Sequence, residues 1–254
     1  MKQVPNIFTL LNLVFGCLAI IFILQNGIVL ANTGEGEQMM SMPEQIFLAS
    51  LFIGLAALVD FFDGFLARLL KADSAMGKEL DSLADVVSFG VAPGLIIYQF
   101  LRLSLARQEN GLDASFLWLL PALILPCASA WRLAKFNIDQ SQSTVFKGVP
   151  TPAVGLLVAS LPLIFWTSSQ EWVLGILLNK WFWYALVIFL SYVMMSNLPI
   201  MSLKFGDFTM RDNLPKIVLA VVAIICAILL KWIAVPVVFL AYIVLSLTLK
   251  NKSA

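Results

Sequence analysis

About eight stretches of this chain are almost wholly apolar and long enough to cross a bilayer as helices, which decides the fold class before any motif is considered. They run approximately Ile7–Leu30, Ile46–Leu70, Leu80–Leu103, Phe116–Phe136, Ala153–Thr167, Trp181–Leu203, Leu214–Leu230 and Trp232–Leu249. The fifth is short and contains Pro162, and the last two, separated only by Lys231 and Trp232, imply a tight helical hairpin. With 61% hydrophobic and 12% charged residues, the 254-residue chain lacks the polar surface that coats a soluble globule. The expected fold is all-α: a polytopic membrane helical bundle, one membrane domain over residues 1–254. The first apolar stretch is too long for a signal peptide, and Asn6, Thr9 and Asn12 interrupt it early, so it reads as a retained helix.

Basic residues set the expected orientation. With the N-terminus inside, Lys2, Arg68, Lys71, Lys78, Arg132, Lys135, Lys147, Lys204, Arg211, Lys216, Lys250 and Lys252 fall on the cytoplasmic side. Only Arg102, Arg107, Lys180 and Lys231 fall outside, which places both termini in the cytoplasm of an inner-membrane protein. Glu35, Glu37, Glu44, Glu109, Asp113 and Glu171 read as a solvated outer surface. A net charge of +1 carries no nucleic-acid footprint. The absence of histidine excludes Ser-His-Asp, Cys-His and His-based metal chemistry. Cys17, Cys127 and Cys226 are scattered through apolar runs and read as small buried hydrophobes. The seven tryptophans lie mostly near span ends, as an aromatic belt would.

Ionisable groups inside spans are costly and mark function by default. Here they are concentrated: the second span ends LVDFFDGFLARLL and the third begins GKELDSLADVVSFG. Asp60 and Asp63 lie three residues apart and Asp81 and Asp85 four, so each pair shares a helix face. Asp60, Asp63, Gly64, Ala67 and Arg68 fall within about 140° of one another, and Gly77, Asp81, Asp85 and Ser88 form a similar stripe. The short link Lys71–Met76 makes the two helices an antiparallel hairpin whose stripes face each other. Unit charges 4 Å apart repel by about 4 kcal/mol at an effective dielectric of 20, so protons or cations must neutralise the four carboxylates. Two divalent ions match that charge, and all-oxygen ligands suit Mg²⁺ or Mn²⁺. Gly64, Ala67 and Gly77 remove bulk from these faces, and Arg68 supplies a cation for phosphate. The bland alternative is a pair of salt-bridged helix ends with small residues for close packing.

The run Asp60-x2-Asp63-Gly64-x2-Ala67-Arg68-x8-Gly77-x3-Asp81-x3-Asp85 resembles, position for position, the signature of the CDP-alcohol phosphotransferase family. The resemblance implies a six-helix core over residues 1–205 followed by a C-terminal helical hairpin over 206–254. It also implies a dimetal site and displacement of CMP from a CDP-linked lipid or alcohol. Carried across, Asp60, Asp63, Asp81 and Asp85 are metal ligands, Asp85 is also the general base, and Gly64, Ala67, Arg68 and Gly77 line the CDP pocket. VPNIFTLLNLVFGC, LDSLADVVSFGVAPG, RLAKFN, FKGVPTPA and SNLPIMSLKF are similar to the branch that uses CDP-diacylglycerol and L-serine. Similar enzymes are often homodimers, which makes a second copy of the chain, beside membrane lipid, a candidate partner.

Several residues carry two readings. Asn6, Thr9 and Asn12 share about a 120° arc of the first helix, where they contact cytidine or phosphate, or else cap the helix and bind its neighbours. Lys71 and Ser74 in the hairpin link contact phosphate, or else solvate the interface and N-cap a helix. Arg132 and Lys135 share a face of the fourth span and are the best candidates for a serine carboxylate, with Lys147 in FKGVPTPA a similar candidate; the alternative is snorkelling anchorage. The leading expectation is transfer of the phosphatidyl group from CDP-diacylglycerol to serine. Glycerol 3-phosphate or inositol phosphate as acceptor is the nearest rival, and an ion-coupled transporter using membrane carboxylates is the rival from another class.

Overall fold

In lipid the backbone polar groups must be satisfied within each segment, so apolar stretches of this kind become helices. The computed structural model describes residues 4–25, 27–32, 38–70, 74–108, 114–138, 146–201 and 210–250. Of the residues singled out above, Lys2, Glu35, Glu37, Lys71, Glu109, Asp113, Lys204 and Lys252 lie outside these. Ten α-helices are described: α1 (Val4–Gln25), α2 (Phe47–Leu69), α3 (Ala75–Asp85), α4 (Ala92–Ala106), α5 (Ile124–Ile138), α6 (Thr151–Thr167), α7 (Glu171–Leu177), α8 (Lys180–Met195), α9 (Met210–Leu230) and α10 (Ala234–Lys250). Five helical stretches among the described residues are long and apolar enough to cross a membrane, or six if the bent α7–α8 pair counts as one. The protein is an all-α polytopic membrane bundle.

The boundaries depart from the apolar runs where polar chemistry intervenes. The first helix ends at Gln25, not Leu30, because Val29–Asn32 (β1) pairs antiparallel with Gln38–Ser41 (β2). The third span begins at Ala75, not Leu80: Ser74 Oγ accepts from Gly77 N at 3.0 Å and caps a polar first turn that hydropathy does not register. The same span continues through a π-helical turn, Val86–Val91, into α4. The fourth opens as a 3₁₀ segment, Phe116–Leu123, around Pro121. The sixth stops at Met195, after which Pro199–Ile200 (β4) pairs with Phe146–Lys147 (β3).

Two composition-based expectations are corrected. Cys17 and Cys127 are exposed and Cys226 only half-buried, on helix faces that meet lipid rather than the core. Trp183 is fully buried instead of sitting in a belt. The 67° bend between α7 and α8 lets its indole Nε1 donate to Leu177 O at 2.7 Å, while its ring stacks on Phe100 at 4.7 Å.

The core gathers on the π turn, against which α1, α5 and α6 all pack. Short α6 is the bundle's central post: Val154, Leu157, Val158 and Leu161 are buried, and Phe89 of the π turn is fully enclosed. Gly16 on α1 makes the closest approach. A Cβ there would lie 2.9 Å from Ser88 Cα and closer still to the Ser88 hydroxyl, which itself donates to Asn12 O at 3.1 Å. At the far end of the chain Lys231 adopts φ 51°, and α9 and α10 pack on each other as a hairpin. Because Gly16 holds α1 against the turn that ends in the site, Gly16→Val should destabilise the fold by about 1–3 kcal/mol through overpacking. Thermal unfolding in detergent will register this as a lowered Tm, while Gly54→Val, facing open space, should leave Tm near wild type.

Candidate active site

The C-terminal half of α2 and the first two turns of α3 both lie against α1, and this brings their acids together. Asp60, Asp63 and Asp81 each offer an oxygen lying within 4.8 Å of the others. Asp60 and Asp81 face each other across the gap between the helices, and Asp81 Oδ1 is shut off from solvent without a partner. Two facing carboxylates need a proton or a cation between them. Oxygens on opposite sides of an octahedral Mg²⁺ stand about 4 Å apart, so the spacing and the all-oxygen donor set fit a divalent cation. The unpartnered buried oxygen on Asp81 is the atom such an ion would satisfy.

The fourth acid is placed differently. Asp85 sits one helical turn beyond Asp81, is buried, and lies outside the group of three. Its Oδ1 accepts from Asn12 Nδ2 at 3.3 Å, and Asp60, Asp81 and Asp63 all act on it electrostatically. Helix α1 serves both pairs: Thr9 Oγ1 donates to Asp63 Oδ2 at 2.8 Å and also reaches Pro5 O at 3.2 Å. The polar arc of α1 therefore divides by depth. Asn6 and Thr9 line the open cavity beside the acids, whereas Asn12, fully buried and with its Oδ1 unpartnered, does not reach it.

That cavity has a volume of about 790 Å³. Asn6, Thr9, Asp60, Asp63, Gly64, Ala67, Arg68, Ser74, Gly77 and Asp81 all contribute to its wall. Gly64 fronts open space, so the missing side chain leaves room at the mouth, while a Cβ on Gly77 would press to 3.0 Å on Asn6 Oδ1 and Ser74 Oγ. Arg68 Nε donates to Gly64 O at 2.9 Å, which lays the guanidinium along the rim. Ser74 has the capping role described above and lines the cavity as well. Lys71 lies outside the described residues.

A second, narrow cleft is bounded by Arg132, Lys135, Phe136, Lys147, Met194, Met195 and Ser196. The three cations proposed from separate parts of the chain thus come together. Arg132 is buried, donates through Nη1 to Thr151 Oγ1 at 3.1 Å, keeps an unpartnered Nε, and is close enough to Asp85 to attract it. Lys135 Nζ donates to Asn197 Oδ1 at 2.9 Å. Asn137 and Ser82, not singled out from the sequence, complete the wiring with Lys78: Lys78 Nζ donates to Asn137 O at 3.2 Å, and Asn137 Nδ2 to Ser82 Oγ at 2.9 Å, tying α3 to α5. Asn137 and Thr151 both fall inside the quoted RLAKFN and FKGVPTPA segments, but nothing in those strings says which of their polar residues serve the cations.

The sequence profile described as CDP-alcohol phosphatidyltransferase matches residues 2–190. The chain belongs to that family. Among curated proteins it is similar to the CDP-diacylglycerol–serine O-phosphatidyltransferase of Bacillus subtilis, 35% identical over 165 residues, covering 65% of this chain and 78% of that one. The enzyme of the same description from Mycobacterium tuberculosis is 32% identical over 204 residues, 76% of this chain and 65% of that one. The counterpart from Saccharomyces cerevisiae is 37% identical over 128 residues, 47% of this chain and 42% of that one. For this CDP-alcohol phosphatidyltransferase, the hydroxyl that steadies Asp63 should tune the acidic cluster. Thr9→Val should weaken Mn²⁺ binding about tenfold, as loss of a ligand's hydrogen-bond partner typically does, which calorimetric titration in detergent will read.

Proposed function

We propose that the chain transfers the phosphatidyl group of CDP-diacylglycerol to L-serine, giving phosphatidylserine and CMP. The observation carrying this reading is the gathering of Asp60, Asp63 and Asp81 at the wall of a cavity that Arg68 also borders, with buried Asp85 one helical turn below Asp81. In this reading the nucleotide-lipid occupies the larger cavity, its pyrophosphate beside Asp60, Asp63 and Asp81 and its outer phosphate within reach of Arg68. Asp60, Asp63 and Asp81 would hold divalent ions, two of Mg²⁺ or Mn²⁺ on charge balance, with Asp85 adding to the set from its deeper position; such ions would supply neutralisation of the pyrophosphate and of the departing CMP.

The protein's own groups do the rest. Arg132, Lys135 and Lys147 take the serine carboxylate, the Arg132 guanidinium offering a planar pair of donors. Asn12 holds one oxygen of Asp85, leaving the other to accept the proton of the serine hydroxyl. The hydroxyl oxygen bonds to the diacylglycerol-linked phosphorus, the P–O bond to the CMP phosphate breaks, and CMP departs with the bonding pair. The exposed Phe61, Phe62 and Phe65 beside the cavity give the acyl chains a lateral route from the lipid. The site faces the cytoplasm of an inner membrane in this reading, as the basic-residue count requires.

Purified protein supplied with CDP-diacylglycerol, Mg²⁺ or Mn²⁺, and L-serine, glycerol 3-phosphate or inositol phosphate in turn tests the acceptor. CMP release with serine alone is expected, and release only with a phosphorylated acceptor would overturn the reading. Asp85→Asn should lower serine-dependent release by at least about a hundredfold, the scale of a lost general base. Because an asparagine still accepts from Asn12, Tm should stay close to wild type. A folded Asp85→Asn variant that releases CMP normally would remove Asp85 from the chemistry.

A further inference from the structure

We infer that the C-terminal hairpin, which lies beyond the residues shared with the family, is part of the acceptor site: Tyr242 and Ser246 of α10 are positioning residues for Lys147. The family match ends at residue 190, whereas α9 and α10 begin at Met210. The inference rests on the reading of the Arg132–Lys135–Lys147 cleft as the place where serine binds.

Lys147 stands on β3, a strand of two residues, paired in register Phe146↔Ile200 and Lys147↔Pro199 with the equally short β4. A two-strand pair of this length has no stability of its own. Proline opposite Lys147 also removes a backbone donor from the pair. Something outside the pair must therefore fix its place. On one side the support is local: Gly148 N donates to Leu198 O at 2.8 Å, and Val149 N to Val193 O at 3.1 Å. Gly148 adopts φ 77°, which glycine tolerates, and any Cβ there would run into Met194 O and Ser196 O.

On the other side the support is α10. Met201, the residue directly after β4, has both of its backbone groups taken by this one helix. Its N–H donates to Ser246 Oγ at 3.2 Å, and its carbonyl accepts from the Tyr242 hydroxyl at 2.8 Å. Ser246 Oγ in turn donates to Tyr242 O at 2.7 Å, which aims the serine oxygen's lone pairs at Met201. Tyr242 and Ser246 are both buried, at 6% and 4% exposure, so water does not substitute for either bond. An extended segment at the edge of a membrane bundle leaves its backbone groups expensive to abandon, and α10 supplies the partners. The chain of contacts runs from α10 to Met201, to β4, to β3 and so to the lysine that borders the cleft.

The test is a kinetic cycle on the full-length protein in detergent with CDP-diacylglycerol, divalent metal and L-serine. Tyr242→Phe and Ser246→Ala should each raise the KM for serine about three- to tenfold, the weight of one buried hydrogen bond, leaving kcat and the KM for CDP-diacylglycerol unchanged. Ser246→Thr, which keeps a hydroxyl, should restore the wild-type KM. In a Lys147→Ala background, which itself raises the serine KM, Tyr242→Phe and Ser246→Ala should add nothing further, because they act through the residue already removed. If Lys147→Ala raises the serine KM but the α10 substitutions do not, or if their effects add in full to it, the hairpin's role is refuted and the cleft reading stands. If Lys147→Ala leaves the serine KM at wild type, the cleft reading fails and the inference fails with it. A joint loss of kcat and both KM values in the α10 variants marks a general loss of fold and refutes positioning.

Discussion

Carboxylates that repel one another are gathered where little water can screen them, and the rest of the architecture answers to that constraint. Three of the acids offer oxygens within 4.8 Å of each other, and a fourth is buried one turn away. Each pair at such separations is worth several kcal/mol of repulsion even at an intermediate effective dielectric, about 4 kcal/mol at 4 Å. A fold that tolerates this must supply donors to individual oxygens and leave the remaining charge for something that binds. Thr9 and Asn12 are the donors, one for the outer pair and one for the inner, and both come from the helix that packs most extensively on α2. The cluster is therefore stable only as the meeting of α1, α2 and α3, and an ion or a cationic ligand completes it.

Below the acids the same span changes its winding. The π turn at Val86–Val91 follows directly after Asp85, and α1, α5 and α6 converge on it. A π turn inserts an extra residue into the helical register and is found most often next to functional positions. Here it lets the polar first half of the span present its acids to α1 and α2, while the apolar second half, α4, turns a different face to α6 and α8. Ser88, inside that turn, spends its hydroxyl on the Asn12 carbonyl, so the residue that steadies Asp85 is itself held from beneath. The inner end of the site is thus braced by the core, while Gly64 fronts open space.

The cavity and the cleft differ in their chemistry. The larger has an acidic floor, an Arg68 rim and an opening beside exposed phenylalanines, as a charged headgroup on acyl chains requires. The smaller is a narrow cationic cleft walled by Met194, Met195 and Phe136. The two chambers are assembled from different elements. The acids belong to α2 and α3, whereas the cations come from α5 and β3.

Helical spans and the acid stripe were legible in the chain as written, because hydropathy and the 3.6-residue period are local properties, but the expected eight spans become five membrane-length helical stretches among the described residues, or six with the bent α7–α8 pair. Asp60, Asp63 and Asp81 meet as their spacing requires, and the last two spans fold back on each other across Lys231. Other features depended on partners distant in the chain, and these no local pattern reports. Asn12, on the same arc as Asn6 and Thr9, lies too deep for the cavity because Gly16 draws α1 against Ser88. Trp183 left the expected interfacial belt for the core because a bend between two short helices offered its indole a carbonyl. Lys147, Arg132 and Lys135 come from segments more than ten residues apart, and Tyr242 and Ser246 from a hairpin whose sequence is almost bare of polar groups. Short-range periodicity determines which face of a helix is polar; which polar face meets which other is settled only when close-packed backbones choose their depth and register.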